Sequence, residues 1–460
     1  MNAALQLLRE LGLPGGAPVV ILAALAATGP VVLAVLTLAG FQVYIERKVC
    51  AFMQNRIGPL HCGPQGLLQF TADGVKLLLK EDLMPAKADA FLFRLAPYVV
   101  MTAALLPLAA IPLAAALTVT DLDTGVFFVM AASAPGVIGL LVAGWASNNK
   151  WSLIGGLRTA AQVASYGVPA GLAVLSVALV AGTLNLRNIV EMQRGHLLLW
   201  NIGNPILLAA FLLYLTASVA ECNRTPFDLP EAESELAAGF HTEYSGLRFG
   251  FFFAAEYTMM FVVSAVAVSL FLGGYHLPFG NSWLARHADL AGRAVLAGAH
   301  GAGAMALLAG LAIGSWAVAP TRLGFLWRAI ERIPRKGVLF LGTGAAVALG
   351  VFFIAPAAGP RLVMAAGNAV GTVAGERAGT FAATLIRLPL RFASYGVPAV
   401  HLAVFLGKTL MLLFVIMWLR WTFPRMRIDR MMDLCWKRLV PAGFAIFAAA
   451  AFWLVIRSTP

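Results

Sequence analysis

Between Ala220 and Glu256 the sequence places seven of its 21 carboxylates, in a chain that is otherwise poor in charge: Glu221, Asp228, Glu231, Glu233, Glu235, Glu243 and Glu256. The run reads A-E-C-N-R-T-P-F-D-L-P-E-A-E-S-E-L from 220 to 236, and Glu256 follows as A-E-Y inside an apolar stretch. A carboxylate that enters hydrocarbon costs about 3 kcal/mol or more unless a partner or water meets it, so such a cluster reads as a functional cavity. For Glu231, Glu233 and Glu235 a solvated loop between two spanning helices is the alternative. Glu221 and Glu256 adjoin or enter apolar segments and fit that alternative poorly. Arg47, Arg56, Arg224 and Arg248 supply basic counterparts. Acids loosely paired with bases at a membrane edge suit proton relay or redox-linked charge change, because burial and neighbouring charge both move a carboxyl's titration. Tyr44, Phe52, Phe70, Phe227, Tyr244 and Phe249 offer apolar walls for a long, lipid-like ligand, with ordinary core packing as the competing role of each.

The composition decides what must position these groups. With 60% apolar and only 12% charged residues, the chain is expected to be an all-α, polytopic helical membrane protein rather than a soluble domain. Its net charge of +12 then needs no nucleic acid to explain it. Cys50, Cys62, Cys222 and Cys435 form no C-x-x-C pair, which speaks against an iron–sulfur or disulfide framework in this chain. No G-x-G-x-x-G, no glycine loop ending in G-K-[ST] and no zinc-spaced histidine pair occurs, so dinucleotide hydride transfer and metal hydrolysis within the chain are poor readings. The first apolar stretch is long and runs into charge without a small-residue cleavage pattern, so no cleavable signal peptide is expected.

Hydropathy predicts a first span over 18–44, ending at Glu46, Arg47 and Lys48, where a long cytoplasmic segment begins. Within that segment Gln69, Asp73, Lys76 and Lys80 recur at helical spacing against Leu68, Val75, Leu77 and Leu79, the pattern of an amphipathic helix in the interface or against a partner. Further spans are expected at 95–117, 126–146, 159–181, 205–219 and 249–272. Two more are expected between 294 and 355, followed by 397–419, which holds Lys408, and a last span ending near 456. That makes about 10 crossings. Two thirds of the 33 Lys and Arg residues fall on the side assigned to the cytoplasm, which places both termini outside. A-S-Y-G-V-P-A occurs at 164–170 and again at 393–399, where each proline could end a helix or bend it toward a cavity.

The ordered strings E-R-K-V at 46–49, Q-N-R-I-G-P at 54–59, G-x-x-Q-x-x-x-D-x-x-K-L at 66–77 and K-E at 80–81, the acidic run, E-Y-S at 243–245, A-E-Y at 255–257 and W-x-R-W-T-x-P-R-x-R-x-D at 418–429 resemble the H-subunit family of respiratory complex I. The resemblance covers nearly all of 15–275 and 400–445. It implies a membrane-anchoring translocase subunit of a respiratory-chain NADH:quinone oxidoreductase, with no redox centre of its own, in a bacterial plasma (inner) membrane. Quinone would be its substrate, while NADH, FMN and iron–sulfur clusters would belong to partner subunits. Those partners would be hydrophilic iron–sulfur and quinone-site subunits of the peripheral arm, and small and antiporter-like subunits of the membrane arm. The resemblance implies Arg47, Arg56, Phe227 and Asp228 at the quinone site. It implies Glu221, Glu231, Glu233, Glu235 and Glu256 on a proton path, and Asp73, Glu81 and Arg224 at the cavity rim.

Two departures stand out. The fourth span carries Ser165-Tyr166-Gly167 where the family pattern is S-Y-E, so a membrane-embedded acid is missing and a neighbouring acid or water must replace it, or coupling is altered. A stretch of roughly 120 residues also interrupts the family core, which divides the chain into 1–275, 276–396 and 397–460. The homologous anchor of a membrane-bound hydrogenase or other donor-linked complex shares the acidic loop, and its partner chains would distinguish it. A free-standing ion transporter fits less well, because the charged cytoplasmic segments look built to receive another protein.

Overall fold

The computed structural model describes residues 17–115, 117–195, 200–228, 237–277 and 396–458. Glu231, Glu233, Glu235 and nearly all of the expected insertion lie outside the described residues. The chain divides into one unit of Met1–Asn281 with His401–Pro460 and another of Ser282–Val400, and the following description concerns the first.

This is an all-α, polytopic membrane protein. Its helices are α1 (Ala17–Met53), α2 (Gln69–Leu79), α3 (Ala90–Leu105), α4 (Gly125–Ser133), α5 (Pro135–Ala146), α6 (Lys150–Ala181), α7 (Leu186–Met192), α8 (Pro205–Glu221), α9 (Gly246–Phe271), α10 (Gly396–Thr422), α11 (Ile428–Leu434) and α12 (Val440–Ser458). Among the described residues, six stretches are long and apolar enough to cross a membrane: Ala90–Ala109, Gly125–Ala146, Lys150–Ala181, Gly246–Phe271, Val400–Thr422 and Ile428–Ile456.

Several boundaries differ from the hydropathy reading, each for a physical reason. α1 does not stop at its charges: it carries Glu46, Arg47 and Lys48 on to Met53, and Glu46 is turned inward rather than into solvent. The 95–117 expectation shortens at its far end, where α3 gives way to a 3₁₀ turn at Leu106–Ala109. α6 begins well before 159, at Lys150, where the Asn149 side chain caps the helix by accepting from Trp151 N, and it ends on left-handed Gly182. Pro169 does not end it. Proline removes the amide that would reach the Ser165 carbonyl one turn back, and the Cys435 thiol donates to that carbonyl at 3.3 Å instead. Next to it, Tyr166 OH donates to the Met431 carbonyl at 2.9 Å, immediately before a π-helical turn at Cys435–Leu439.

α9 lies at the centre. Every residue from Met260 to Phe271 is buried, as expected of a helix that is apolar all round. Just past its C-terminus the chain is held by Lys408 of α10, whose ammonium donates to the Leu272, Gly274 and His276 carbonyls at 2.7, 2.9 and 2.6 Å and lies 3.9 Å from the Trp200 ring centroid. A cation there also complements the helix dipole, so the isolated charge in an apolar span has a structural role. In the same turn, burial pushes the His276 imidazole down to about 4, so it is neutral at pH 7.

Close backbone packing of α6 depends on Gly155, where an added Cβ would sit 2.8 Å from the backbone of Gly239 and Phe240. Gly155→Ala should therefore lower the thermal unfolding temperature in detergent, with a cost of about 1–3 kcal/mol. Gly171→Ala, whose nearest neighbour is the Met130 methyl at 3.9 Å, should leave that temperature unchanged.

Candidate functional site

Four distant segments meet at one carboxylate. Glu46 of α1 accepts a hydrogen bond from Tyr257 OH of α9 at 2.7 Å and forms a short ion pair with Arg420 of α10. Arg224, from the loop after α8, lies 4.0 Å from the same carboxylate and 3.6 Å from Glu256 of α9. Its guanidinium stacks 4.4 Å from the Tyr257 ring centroid. Glu46 and Arg224 are each 4% exposed, so two acids and two guanidiniums balance within a largely dehydrated site. Removing one member of such a set leaves a buried charge uncompensated, which is far costlier than losing an exposed pair.

Two cavities adjoin this cluster. The larger, about 380 Å³, is lined by Glu46, Arg47, Arg56, Tyr257, Arg420 and Trp421 among others. The smaller, about 60 Å³, has Glu221, Asn223 and Glu256 in its wall against apolar residues of α3, α5 and α9. That volume has room for about two waters. Arg224 reaches from Glu46, in the wall of the first, to Glu256, in the wall of the second.

The expected site residues divide as follows. Arg47 faces the larger cavity and pairs with Asp73 of α2 at 2.6 Å, while Gln69 and Lys76 hold the same carboxylate at 3.2 and 3.6 Å. Arg56 lines that cavity and donates to the Cys50 sulfur at 3.5 Å. Glu81 is exposed, and its backbone carbonyl accepts from Ser245. Phe227 and Asp228 are not part of that cavity's wall. Phe227 is buried with its ring 5.3 Å from Tyr166, and Asp228 pairs with Arg425 at 3.0 Å. Of the expected aromatic wall, Phe52 is exposed and Tyr244 stacks on Phe93 at 4.0 Å.

Sequence reasoning treats Glu46, Tyr257 and Arg420 as flanking residues and does not single out Gln162. One signal for Glu46 is periodicity: Val35, Ala39, Gln42, Glu46 and Cys50 form a single buried stripe on α1. Gln162 of α6 is fully buried, and its amide donates to the Ala220 and Phe227 carbonyls at 2.7 and 2.8 Å, which pins both ends of the turn that carries Arg224. Gly167 faces Glu221: an added Cβ would lie 3.6 Å from its Oε1.

A family model described as NADH dehydrogenase matches residues 26–451. The chain is 38% identical over 420 residues to the NADH-quinone oxidoreductase H subunit of Anaeromyxobacter dehalogenans, across 91% of this chain and 79% of that protein. It is 36% identical over 450 residues to the corresponding protein of Chlorobium luteolum, across 97% and 91%, and 35% identical over 413 residues to that of Phocaeicola vulgatus, across 90% and 86%. This chain belongs to the family of NADH-quinone oxidoreductase H subunits. The stretch matched by the family model contains every residue of the Glu46 cluster. Among the described residues no group of three or more His, Cys, Asp or Glu side chains could hold a metal ion.

Gln162→Leu should strand the buried Phe227 carbonyl at a cost of about 1–3 kcal/mol, while the Ala220 carbonyl keeps its bond from Asn223 N at 3.1 Å. The expected outcome is faster amide hydrogen exchange across 220–228, with exchange in α12 unchanged.

Proposed function

We propose that this chain is the membrane-anchoring subunit of a proton-pumping NADH:quinone oxidoreductase, in which it forms the quinone-access cavity and passes the charge change of quinone reduction into the membrane. One observation carries the reading beyond family membership: a single buried guanidinium, Arg224, joins the acid in the wall of the larger cavity to the acid in the wall of the smaller one. Arg47 and Arg56 meet the quinone head group in the larger cavity, and Phe227 and Asp228, outside that cavity's wall, belong to the quinone site through the turn that carries Arg224. Asp73, Glu81 and Arg224 form the rim, with Asp73 setting the direction of Arg47. Glu221 and Glu256, with Glu231, Glu233 and Glu235 of the acidic loop, make the proton path.

Quinone is the substrate, and NADH, FMN and iron–sulfur clusters belong to hydrophilic partner subunits of the peripheral arm. Each electron delivered adds a unit of negative charge beside Arg47 and Arg420. That charge weakens the hold of Arg420 on Glu46 and favours proton uptake by the acids that share Arg224. Glu221 supplies the acid that position 167 lacks, since its carboxylate occupies the space beside Gly167.

The topology supporting this has ten crossings: the six apolar stretches, α1 and α8, and two more within the 276–396 insertion. Regions 1–275 and 397–460 form the family core. α2 lies in the interface, where Val75, Leu78 and Leu79 are exposed for lipid or a partner subunit. Small and antiporter-like membrane subunits continue the arm in a bacterial plasma membrane, with both termini on its outer side.

Mass identification of the chains that co-purify on gentle extraction tests the assignment. Flavin- and NADH-binding subunits together with the iron–sulfur connecting subunits are the expected result. A nickel–iron hydrogenase chain without them, or recovery of this chain alone, would refute it.

A further inference from the structure

Gln42 is the one polar residue on the buried stripe of α1 that the site described above does not use. It is fully buried, and among the described residues neither its amide nitrogen nor its amide oxygen has a hydrogen-bond partner. A primary amide left in that state costs about 1–3 kcal/mol for each unmet group, an expensive feature at a position where leucine or methionine would pack equally well.

Its place on the helix suggests why an amide stands there. Gln42 and Glu46 are four residues apart on one face, so their Cβ atoms are separated by about 6 Å and their polar ends can share one water. The larger cavity is lined by Val43, Glu46 and Cys50 of α1, and Gln42 lies buried just outside that lining. Glu46 has acceptor capacity to spare. Arg420 engages Oε1 and Tyr257 engages Oε2, and each carboxylate oxygen can accept more than one bond.

We propose that Gln42 is a positioning residue for Glu46, holding a water between its amide and the Glu46 carboxylate, and that this water keeps a proton donor and acceptor in place on the membrane side of the cluster. The amide NH₂ donates to the water oxygen, the water donates to Glu46, and the Gln42 carbonyl accepts from the same water or a second one. When Glu46 takes up a proton, the water reverses from donor to acceptor without any side chain leaving its rotamer. Gln42 thereby acts through Glu46 and touches no substrate.

This inference rests on the proposed quinone-reductase role only for its kinetic consequence, so two measurements on the intact complex separate the two. A high-resolution cryo-EM map should show ordered water density within about 3 Å of both the Gln42 amide and the Glu46 carboxylate. The Gln42→Met complex should lose that density and assemble to the normal level. Its quinone-reduction kcat should fall about tenfold, the scale of one lost water-mediated contact, with KM for quinone unchanged and the pH profile displaced. Gln42→Glu, which restores a water-binding group, should recover most of the rate. Absence of bridging density in the wild-type map would overturn the inference, as would a Gln42→Met complex with wild-type kcat and pH profile. A wild-type complex that does not reduce quinone would refute the proposed function while leaving the density test standing.

Discussion

The Glu46 carboxylate is the constraint to which the rest of the structure answers. Buried beside Arg420, Arg224 and Tyr257, it draws together positions 46, 224, 257 and 420, which belong to three helices and one loop far apart in the chain. Charges in a dehydrated site are stable only as a set, so the axial positions of α1, α9 and α10 must agree closely. The other end of the α9–α10 pair shows how that agreement is kept. Lys408 locks onto three carbonyls of the turn that follows α9, and Arg420, three turns further along α10, meets the Glu46 site. Gln162 performs the corresponding task for the loop that delivers Arg224.

In the proposed mechanism the cluster also links the larger cavity to the smaller one, because Arg224 reaches from the wall of one to the wall of the other. Arg47, Arg56 and Arg420 make the larger space positive, suited to a ligand that acquires negative charge. Glu221 and Glu256 make the smaller space acidic. Arg224 cannot satisfy Glu46 and Glu256 equally while the charge at one of them changes, so a change on the cavity side is felt at the membrane side. Gly167 contributes by omission: lacking a side chain, it leaves the space into which the Glu221 carboxylate turns.

Much of this was legible in the sequence, and the failures have identifiable causes. The apolar spans were visible because hydrocarbon demands long runs of apolar residues, and the acidic run marked the site because acids near lipid need a reason. Helix ends were less visible. Hydropathy registers lipid, whereas α1 and α6 continue through charged residues that fold inward or lie beyond the hydrocarbon. Pro169 looked able to end a helix because the donor that satisfies the Ser165 carbonyl, Cys435, lies 270 residues away. Glu46 and Arg420 looked like flanking charges for the same reason, since their pairing spans 374 residues and no local pattern reports it. Phe227 and Asp228 were legible as residues of a specific string, but not their partners: the fold packs them against Tyr166 and Arg425, which lie far away in the sequence.

The most direct test of this account is Glu46→Gln in the intact complex, with NADH-driven quinone reduction and proton uptake measured together in sealed vesicles. The substitution keeps the shape of the side chain, with the amide oxygen accepting from Arg420 and the NH₂ donating to the Tyr257 oxygen in a reversed bond, but removes the charge that holds both guanidiniums. The account predicts a less stable complex, with both activities lost in the fraction that assembles, because Arg224 then rests on Glu256 in every redox state. Full proton uptake at the wild-type ratio to quinone reduction would contradict it.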